Sequence, residues 1–205
     1  MSFNELKQHG TEDFPFGIYI IDKSHPKYEM AFHWHASVEI IRVLKGELSI
    51  TLDNKNFVAK SGDVVFVNSE TIHGATPENC EYECLVFPLS FLKSGNRTCN
   101  RFLEDLTDKN CKLDFLPRSE ELKTCANELF KTVKERKNGY QFVAIGLVNQ
   151  LIGWVLLSNH QSRRLSLVLL CSLSYIKTRM ISFFTMQFLF NKDRQEFLIM
   201  LQLIE

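Results

Sequence analysis

Two segments of the chain carry histidine and carboxylate side chains at a spacing that suits a metal ion or a polar ligand. In an extended strand side chains alternate between two faces, so His33, His35, Glu39 and Ile41 share one face if this run is extended throughout. A second segment brings His73 after a turn and a short buried strand. Three imidazoles and one carboxylate bind iron, manganese, nickel, copper or zinc and leave coordination positions open.

The elements that must position these residues are short strands separated by turn residues. Val38–Leu44 is rich in β-branched and aliphatic residues, Lys45-Gly46 has the composition of a tight turn, and the next six residues alternate polar and apolar. This pattern predicts a hairpin with one solvated face. Val64–Val67 is a predicted buried strand, and Tyr82–Phe87 closes the β-rich part. Together they indicate an all-β sandwich or barrel.

Beyond Pro117 the apolar period changes from two residues to about 3.6. Ser119 is a predicted N-cap of an amphipathic helix that stops at Asn138-Gly139. A second helix is predicted from Tyr140 to about His160, with apolar residues on more than one face. Because large apolar stripes rarely stay exposed, we expect this helix to be covered on one side by the barrel or the first helix, and on the other by a second copy of the chain.

The histidine segments resemble the two motifs of cupin proteins over about residues 14–88. The first motif matches in full: His33 and His35 are separated by one residue, three residues separate His35 from Glu39, and six residues separate Glu39 from Gly46. Gly62-Asp63 leading to His73 matches the core of the second. Residues 68–70 replace the usual prolines and glycine, and Pro77 replaces the usual asparagine.

The sequence around these motifs is similar to that of the amino-terminal domain of AraC-family transcription regulators. The segments that carry this resemblance are Phe32–His35, Glu39–Ile41, Val43–Leu48 and Phe66–His73. The resemblance implies a mainly β fold with α-helices, a cupin (double-stranded β-helix, or jelly-roll) barrel followed by a helical dimerisation segment. We expect the barrel over residues 1–92, the dimerisation segment over 93–162 and an atypical tail over 163–205.

The same resemblance implies an effector-sensing module that binds a small molecule, a sugar or a small organic acid, in the barrel and forms a homodimer. The residues expected to line the pocket are His33, His35, Glu39, Ile41, His73 and Phe16. Near the amino terminus, residues 14–19 form either an arm over the barrel mouth or an ordinary first strand. His9 is expected at a mobile end, without a partner.

The role of the histidines stays open between three alternatives. They line an effector pocket, or they hold a divalent transition metal, or they form a structural polar cluster. In enzymatic cupins the equivalents of His33, His35, Glu39 and His73 hold a catalytic metal. A metal-dependent dioxygenase or isomerase is therefore the alternative to the binding module, which we expect not to be an enzyme.

Charge and composition argue against direct DNA binding by this chain. Lysine and arginine (24) balance aspartate and glutamate (24), so no overall field attracts nucleic acid. Residues 163–205 contain no glycine, proline or alanine and no recognisable helix-turn-helix. In an AraC-type regulator DNA is bound by a carboxy-terminal domain, which we expect to be missing here. The tail is either native or the product of a frame disruption near residue 162.

The remaining composition predicts a cytoplasmic protein. The amino terminus lacks a basic segment followed by an apolar one, so no signal peptide is expected. Six irregularly spaced cysteines are expected to be reduced thiols. The apolar clusters of the tail are too short to span a bilayer, so no membrane association is expected.

Overall fold

The computed structural model describes residues 2–93, 97–107, 113 and 119–157. Within these ranges seven strands form one curled mixed sheet that is followed by helices, and the predicted cupin barrel with appended helices is confirmed. The strands are β1 (Phe3–Asn4), β2 (Gly17–Ile21), β3 (Met30–Trp34), β4 (Val38–Leu52), β5 (Lys55–Lys60), β6 (Val64–Val67) and β7 (His73–Phe87). A 3-10 helix (Leu89–Leu92) precedes the helices α1 (Arg97–Thr107), α2 (Glu120–Glu135) and α3 (Tyr140–Leu157). Helix α1 was not predicted from the sequence.

Two long antiparallel strands form the frame of the barrel. Strands β4 and β7 each have 15 residues and pair from Val38↔Phe87 to Leu52↔His73. Strands β2 and β3 add to β7, whereas β5 and β6 add to β4. Strands this long cannot stay flat, because each carries the right-handed twist, and the sheet curls around its own inner face.

The predicted hairpin at Lys45-Gly46 is wrong. Strand β4 runs through these residues, and its pairing with β7 shifts register there. Gly46 has φ +73°, and a Cβ at this position would lie 2.2 Å from the carbonyl oxygen of Asn79. Glycine is therefore needed for a bulge that bends the strand where the partner backbone approaches closely.

Strand alternation places apolar residues on both faces of the sheet. The inner face carries a cluster that includes Ile41, Val43, Leu48, Val65, Val67 and Tyr82. The outer face carries Val38, Ile40, Phe66 and Phe87, which pack with apolar residues of the helices. Glu39 lies between outward-facing neighbours and two positions before Ile41, so the alternation directs its carboxylate inward.

The helices cover the outer face. Ser119 caps α2 by accepting a hydrogen bond from the backbone N–H of Leu122, as predicted, and Arg136 in the left-handed conformation ends the helix three residues before Gly139. Among the described residues α3 is long and apolar enough to cross a membrane, with mean hydropathy 1.5 over 18 residues, a test that core helices of soluble proteins also pass. The predicted tail over 163–205 lies outside the described residues.

Candidate functional site

Four side chains from both sequence motifs converge inside the barrel. One ligand atom from each of His33, His35, Glu39 and His73 lies within 4.8 Å of the others. The run is not extended throughout, as the sequence analysis assumed, because β3 ends at Trp34 and β4 begins three residues after His35. Strand β7 pairs His73 with His33 on β3, whereas Glu39 pairs with Val86 at the other end of β7, so the curl of the sheet brings Glu39 to the histidines.

The Glu39 carboxylate is the centre of this cluster. Its Oε2 atom lies 3.2 Å from Nε2 of His35 and 3.2 Å from Nε2 of His73. His73 is fully buried, and His35 and Glu39 are 3% exposed. An ionised group at this depth is stable only when it is paired and hydrogen-bonded, and the two imidazoles supply that pairing.

All three imidazole rings are oriented by the backbone. Nδ1 of His33 lies 2.9 Å from the carbonyl oxygen of Ala31. Nδ1 of His35 lies 3.0 Å from the carbonyl oxygen of Ser37, and Nδ1 of His73 lies 2.8 Å from the carbonyl oxygen of Thr71. A carbonyl only accepts, so Nδ1 carries the proton in each neutral ring. A ring that also donates to the Glu39 carboxylate carries a second proton on Nε2, which a bound metal ion would replace. Histidine ligands of metal ions are commonly fixed in this way, so the donor set fits a divalent transition metal.

Burial and pairing shift the acidities of the cluster. Burial raises the pKa of the Glu39 carboxyl, but the hydrogen bonds and charges of His35 and His73 outweigh it and hold that pKa well below the usual range. Burial lowers the pKa of His35, but the hydrogen bond to Glu39, the charge of Glu39 and the bond to the Ser37 carbonyl together outweigh burial, so the net pKa is raised. Burial, helped by the charge of His73, lowers the pKa of His33. The cluster thus combines an ionised carboxylate with a neutral imidazole at neutral pH.

The amino-terminal residues cover the cluster. Strand β1 pairs in parallel with β3, and the ring of Phe3 stacks on His33 with centroids 5.7 Å apart. Oε2 of Glu5 lies 3.8 Å from Nε2 of His33, and Lys27 pairs with the other carboxylate oxygen at 3.3 Å. The segment therefore brings a second carboxylate to the site, which the sequence analysis missed because a two-residue strand near a terminus has no detectable period.

His9 also belongs to this cover. It is 7% exposed, its Nδ1 lies 2.9 Å from the Tyr19 hydroxyl, and its ring meets the edge of the His35 ring with centroids 5.9 Å apart. The expectation that His9 lacks a partner is wrong. No local pattern could have revealed this contact, because it depends on how residues 5–16 cross the barrel.

The two apolar residues expected in the pocket lie in different places. Ile41 is buried on the inner face, two positions after Glu39. Phe16 stacks on Phe14 at 4.4 Å and on Phe87 at 4.9 Å, in the cluster that faces the helices, and is not brought together with the histidines. Gly17–Ile21 is a strand paired with β7, and residues 3–9, not 14–19, cover the cluster.

A curled sheet with three imidazoles and a carboxylate on its inner face defines a cupin-type ligand-binding barrel. The family model described as the AraC-like ligand binding domain matches residues 15–152. The chain therefore belongs to the family of AraC-like ligand-binding domains.

Solved structures similar to this chain include several cupins. An RmlC-like cupin with a double-stranded β-helix fold from Methanocaldococcus jannaschii has 19% identity and a TM-score of 0.30, covering 36% of this chain and 68% of that one. An RmlC-like cupin from Shewanella frigidimarina has 24% identity and a TM-score of 0.31, and the match covers 35% of this chain and 64% of that one. The iron(II) form of HppE has 18% identity and a TM-score of 0.30. The match covers 35% of this chain and 42% of HppE, so this chain spans under half of that protein. A search of the curated proteins finds no match.

Proposed function

We propose that this chain is the sensing domain of an AraC-type transcription regulator, which binds a small-molecule effector inside the barrel. The effector class is a sugar or a small organic acid, and it binds beside His33, His35, Glu39 and His73. The observation that carries this proposal is the convergence of four buried polar side chains beneath the amino-terminal segment, in a chain of the ligand-binding family.

A purely structural role explains the cluster less well. Each imidazole already satisfies Nδ1 on the backbone, so three Nε2 atoms are left for one carboxylate oxygen and a distant Glu5. Buried polar atoms that only stabilise a fold normally pair with each other completely. Several Nε2 atoms aimed at one point favour a bound species.

We further propose that His33, His35, Glu39 and His73 hold a divalent transition metal. When bound, the ion would act as a Lewis acid toward an oxygen of the effector. The protein supplies three neutral imidazoles through their Nδ1–H bonds and one carboxylate kept ionised by its neighbours. The amino-terminal segment excludes water from this space, because the four residues are at most 8% exposed.

A metal-dependent cupin enzyme, of the dioxygenase or isomerase type, is the second candidate. The same four donors favour it, since a site with open positions serves catalysis as well as binding. The two candidates differ in what happens to the bound molecule: a sensor returns it unchanged, whereas an enzyme converts it.

The resemblance also guides a proposal for signalling. Helix α3 exposes Phe142, Val143, Trp154 and Leu157, and we propose that this face pairs with a second copy. Effector binding would shift an existing equilibrium of dimer geometry or of the amino-terminal segment in the cytoplasm. DNA contact is a property of the carboxy-terminal domain of such regulators, so we assign none to residues 2–157.

Thermal unfolding of the purified full chain with a panel of sugars and small organic acids tests the function. We expect one class to raise Tm, since a ligand at one hundred times its Kd adds about 2.7 kcal/mol. Mass spectrometry should recover that ligand unchanged. The shift should disappear in His73→Ala and persist in His25→Ala, where a partly exposed turn histidine changes. Conversion of the ligand would favour the enzyme, and the absence of any shift would contradict both.

A further inference from the structure

We propose that His9 is a ligand-binding residue of the site, and that its Nε2 atom hydrogen-bonds the small molecule that binds beside the four converging side chains. His9 is only 7% exposed, yet its Nε2 atom has no hydrogen-bond partner among the residues that the structure describes. A buried polar atom left unpaired costs about 1–3 kcal/mol. Such an atom at the edge of a polar site indicates a missing partner.

The geometry places the His9 ring at the edge of the site. The ring of His9 meets the ring of His35 edge-on at 5.9 Å, and His35 in turn bonds Glu39 at 3.2 Å. His9 lies outside the set of four converging ligand atoms. It is therefore suited to contact a molecule bound beside the four residues and not to share an ion with all of them.

Contacts with neighbouring residues fix the position of the His9 ring. The Tyr19 hydroxyl holds Nδ1 at 2.9 Å, and Lys7 lies over the Tyr19 ring at 4.3 Å. A Cβ at position 17 would lie 2.9 Å from Cβ of His9 and 3.0 Å from the Tyr19 hydroxyl, so Gly17 leaves the room that both side chains occupy. Three residues thus fix a ring whose other nitrogen is unpaired.

The Tyr19 contact also determines what His9 can bind. A tyrosine hydroxyl both donates and accepts, so Nδ1 of the neutral ring can take either role. Nε2 then presents an N–H to an anionic or carbonyl oxygen, or a lone pair to a hydroxyl group. This versatility suits a ligand that carries hydroxyl, carbonyl or carboxylate oxygens.

The inference rests on the proposed metal site and can be tested with inorganic probes. The full chain is treated with chelator and loaded with Co²⁺, and azide is titrated while the visible absorption of the ion is recorded. Four proteins are compared: the natural chain, His9→Phe, Tyr19→Phe and the control His25→Phe. Co²⁺ affinity and azide affinity are measured separately for each.

We expect His9→Phe to weaken azide binding roughly tenfold to a hundredfold, the worth of one hydrogen bond to a charged group, with Co²⁺ affinity unchanged. Tyr19→Phe should give a smaller loss, and His25→Phe none. Equal azide affinity in the natural chain and His9→Phe would overturn the inference, as would a natural chain that takes up Co²⁺ but no azide. If His9→Phe does not fold, natural azide affinity in Tyr19→Phe overturns it. A natural chain that takes up no Co²⁺ would remove the proposed metal site itself, and the inference with it.

Discussion

Nε2 of His73 lies 3.2 Å from Oε2 of Glu39, although the two residues are 34 positions apart and belong to strands β7 and β4. The contact spans the inner face of the barrel, since His73 pairs with both His33 and Leu52 at the start of β7. Because the β4–β7 pairing places His73 beside Leu52 and Glu39 beside Val86, at opposite ends of β7, the contact depends on the curl that this long pairing gives the sheet. Disturbing that pairing should disturb the site, and the site's own residues should govern ion binding.

Replacing Glu39 by glutamine should reduce uptake of Co²⁺ or Zn²⁺ by at least tenfold, by analogy with the 10–100-fold cost of losing an outer partner of a metal ligand. The amide keeps the shape but removes the charge that His35 and His73 face. Calorimetric titration measures the loss. Glu47→Gln is a matched control, because Glu47 is half-buried, lies outside the cluster and pairs with Lys60 at 2.8 Å. Equal ion affinity in Glu39→Gln and the natural chain would refute this role.

Stabilisation by the ion should grow as pH rises. His35 must release a proton to bind an ion, and its pKa is raised above its ordinary value of 6.5. The difference in Tm with and without Zn²⁺ should therefore be small below pH 6.5 and increase above it. His33, whose pKa is lowered, releases its proton at a lower pH than His35 does. A Tm difference that is constant from pH 6 to 8 would contradict the assignment.

In the metal-free protein the same raised pKa has the opposite consequence. A folded-state pKa above the unfolded one contributes stability that is fully present below 6.5 and lost as pH rises through the folded value. Chemical denaturation of His35→Gln and of the natural chain, both without metal, isolates this contribution. The free-energy difference between them should shrink as pH increases from 6 to 9, and a difference that widens would be inconsistent with the pairing of His35 and Glu39.

The cupin motifs and the helix start were predictable from the sequence because both depend on local spacing. Gly46 was misinterpreted, since a glycine with positive φ suits a hairpin turn and a strand bulge equally well. The cover formed by Glu5 and His9 could not be predicted, because it depends on long-range contacts of residues without a period. The separation of Ile41 from Phe16 likewise follows from which face each strand turns inward, which the sequence of one strand does not specify.

Gly46→Ala should destabilise the barrel strongly. The new Cβ would meet the Asn79 carbonyl at 2.2 Å, in addition to the cost of a positive φ. Gly62→Ala is the control, since Gly62 has φ +87° but no atom within 4 Å of the added Cβ. We expect Gly62→Ala to lose about 1 kcal/mol from the free energy of unfolding, and Gly46→Ala to lose about 3 kcal/mol or more. Equal losses in urea denaturation would show that the close approach is unimportant.

Glu83 should connect the barrel to α2. Its carboxylate is 1% exposed and accepts from Arg42 and, at 2.7 Å, from Lys134 of α2, while the Arg42 guanidinium lies 4.6 Å from the Phe130 ring centroid. Removing the charge leaves a largely buried cation unpaired, so Glu83→Gln should cost about 3 kcal/mol of unfolding free energy.

Glu81→Gln on the same strand is the control for this network. Glu81 pairs with Lys45 at 3.5 Å at the surface, and its loss should cost under about 1 kcal/mol. Similar losses for Glu81→Gln and Glu83→Gln would show that burial of the Arg42–Glu83–Lys134 network adds nothing.

The most direct test of the central claim is the ion stoichiometry of the chelator-treated full chain, measured by calorimetric titration with Co²⁺. We expect one ion per chain in the natural protein and none in the double variant His35→Ala/His73→Ala, with His25→Ala unchanged. No binding to the natural chain, or equal binding to the double variant, would contradict the assignment of His33, His35, Glu39 and His73 as the metal-holding site of this ligand-binding domain.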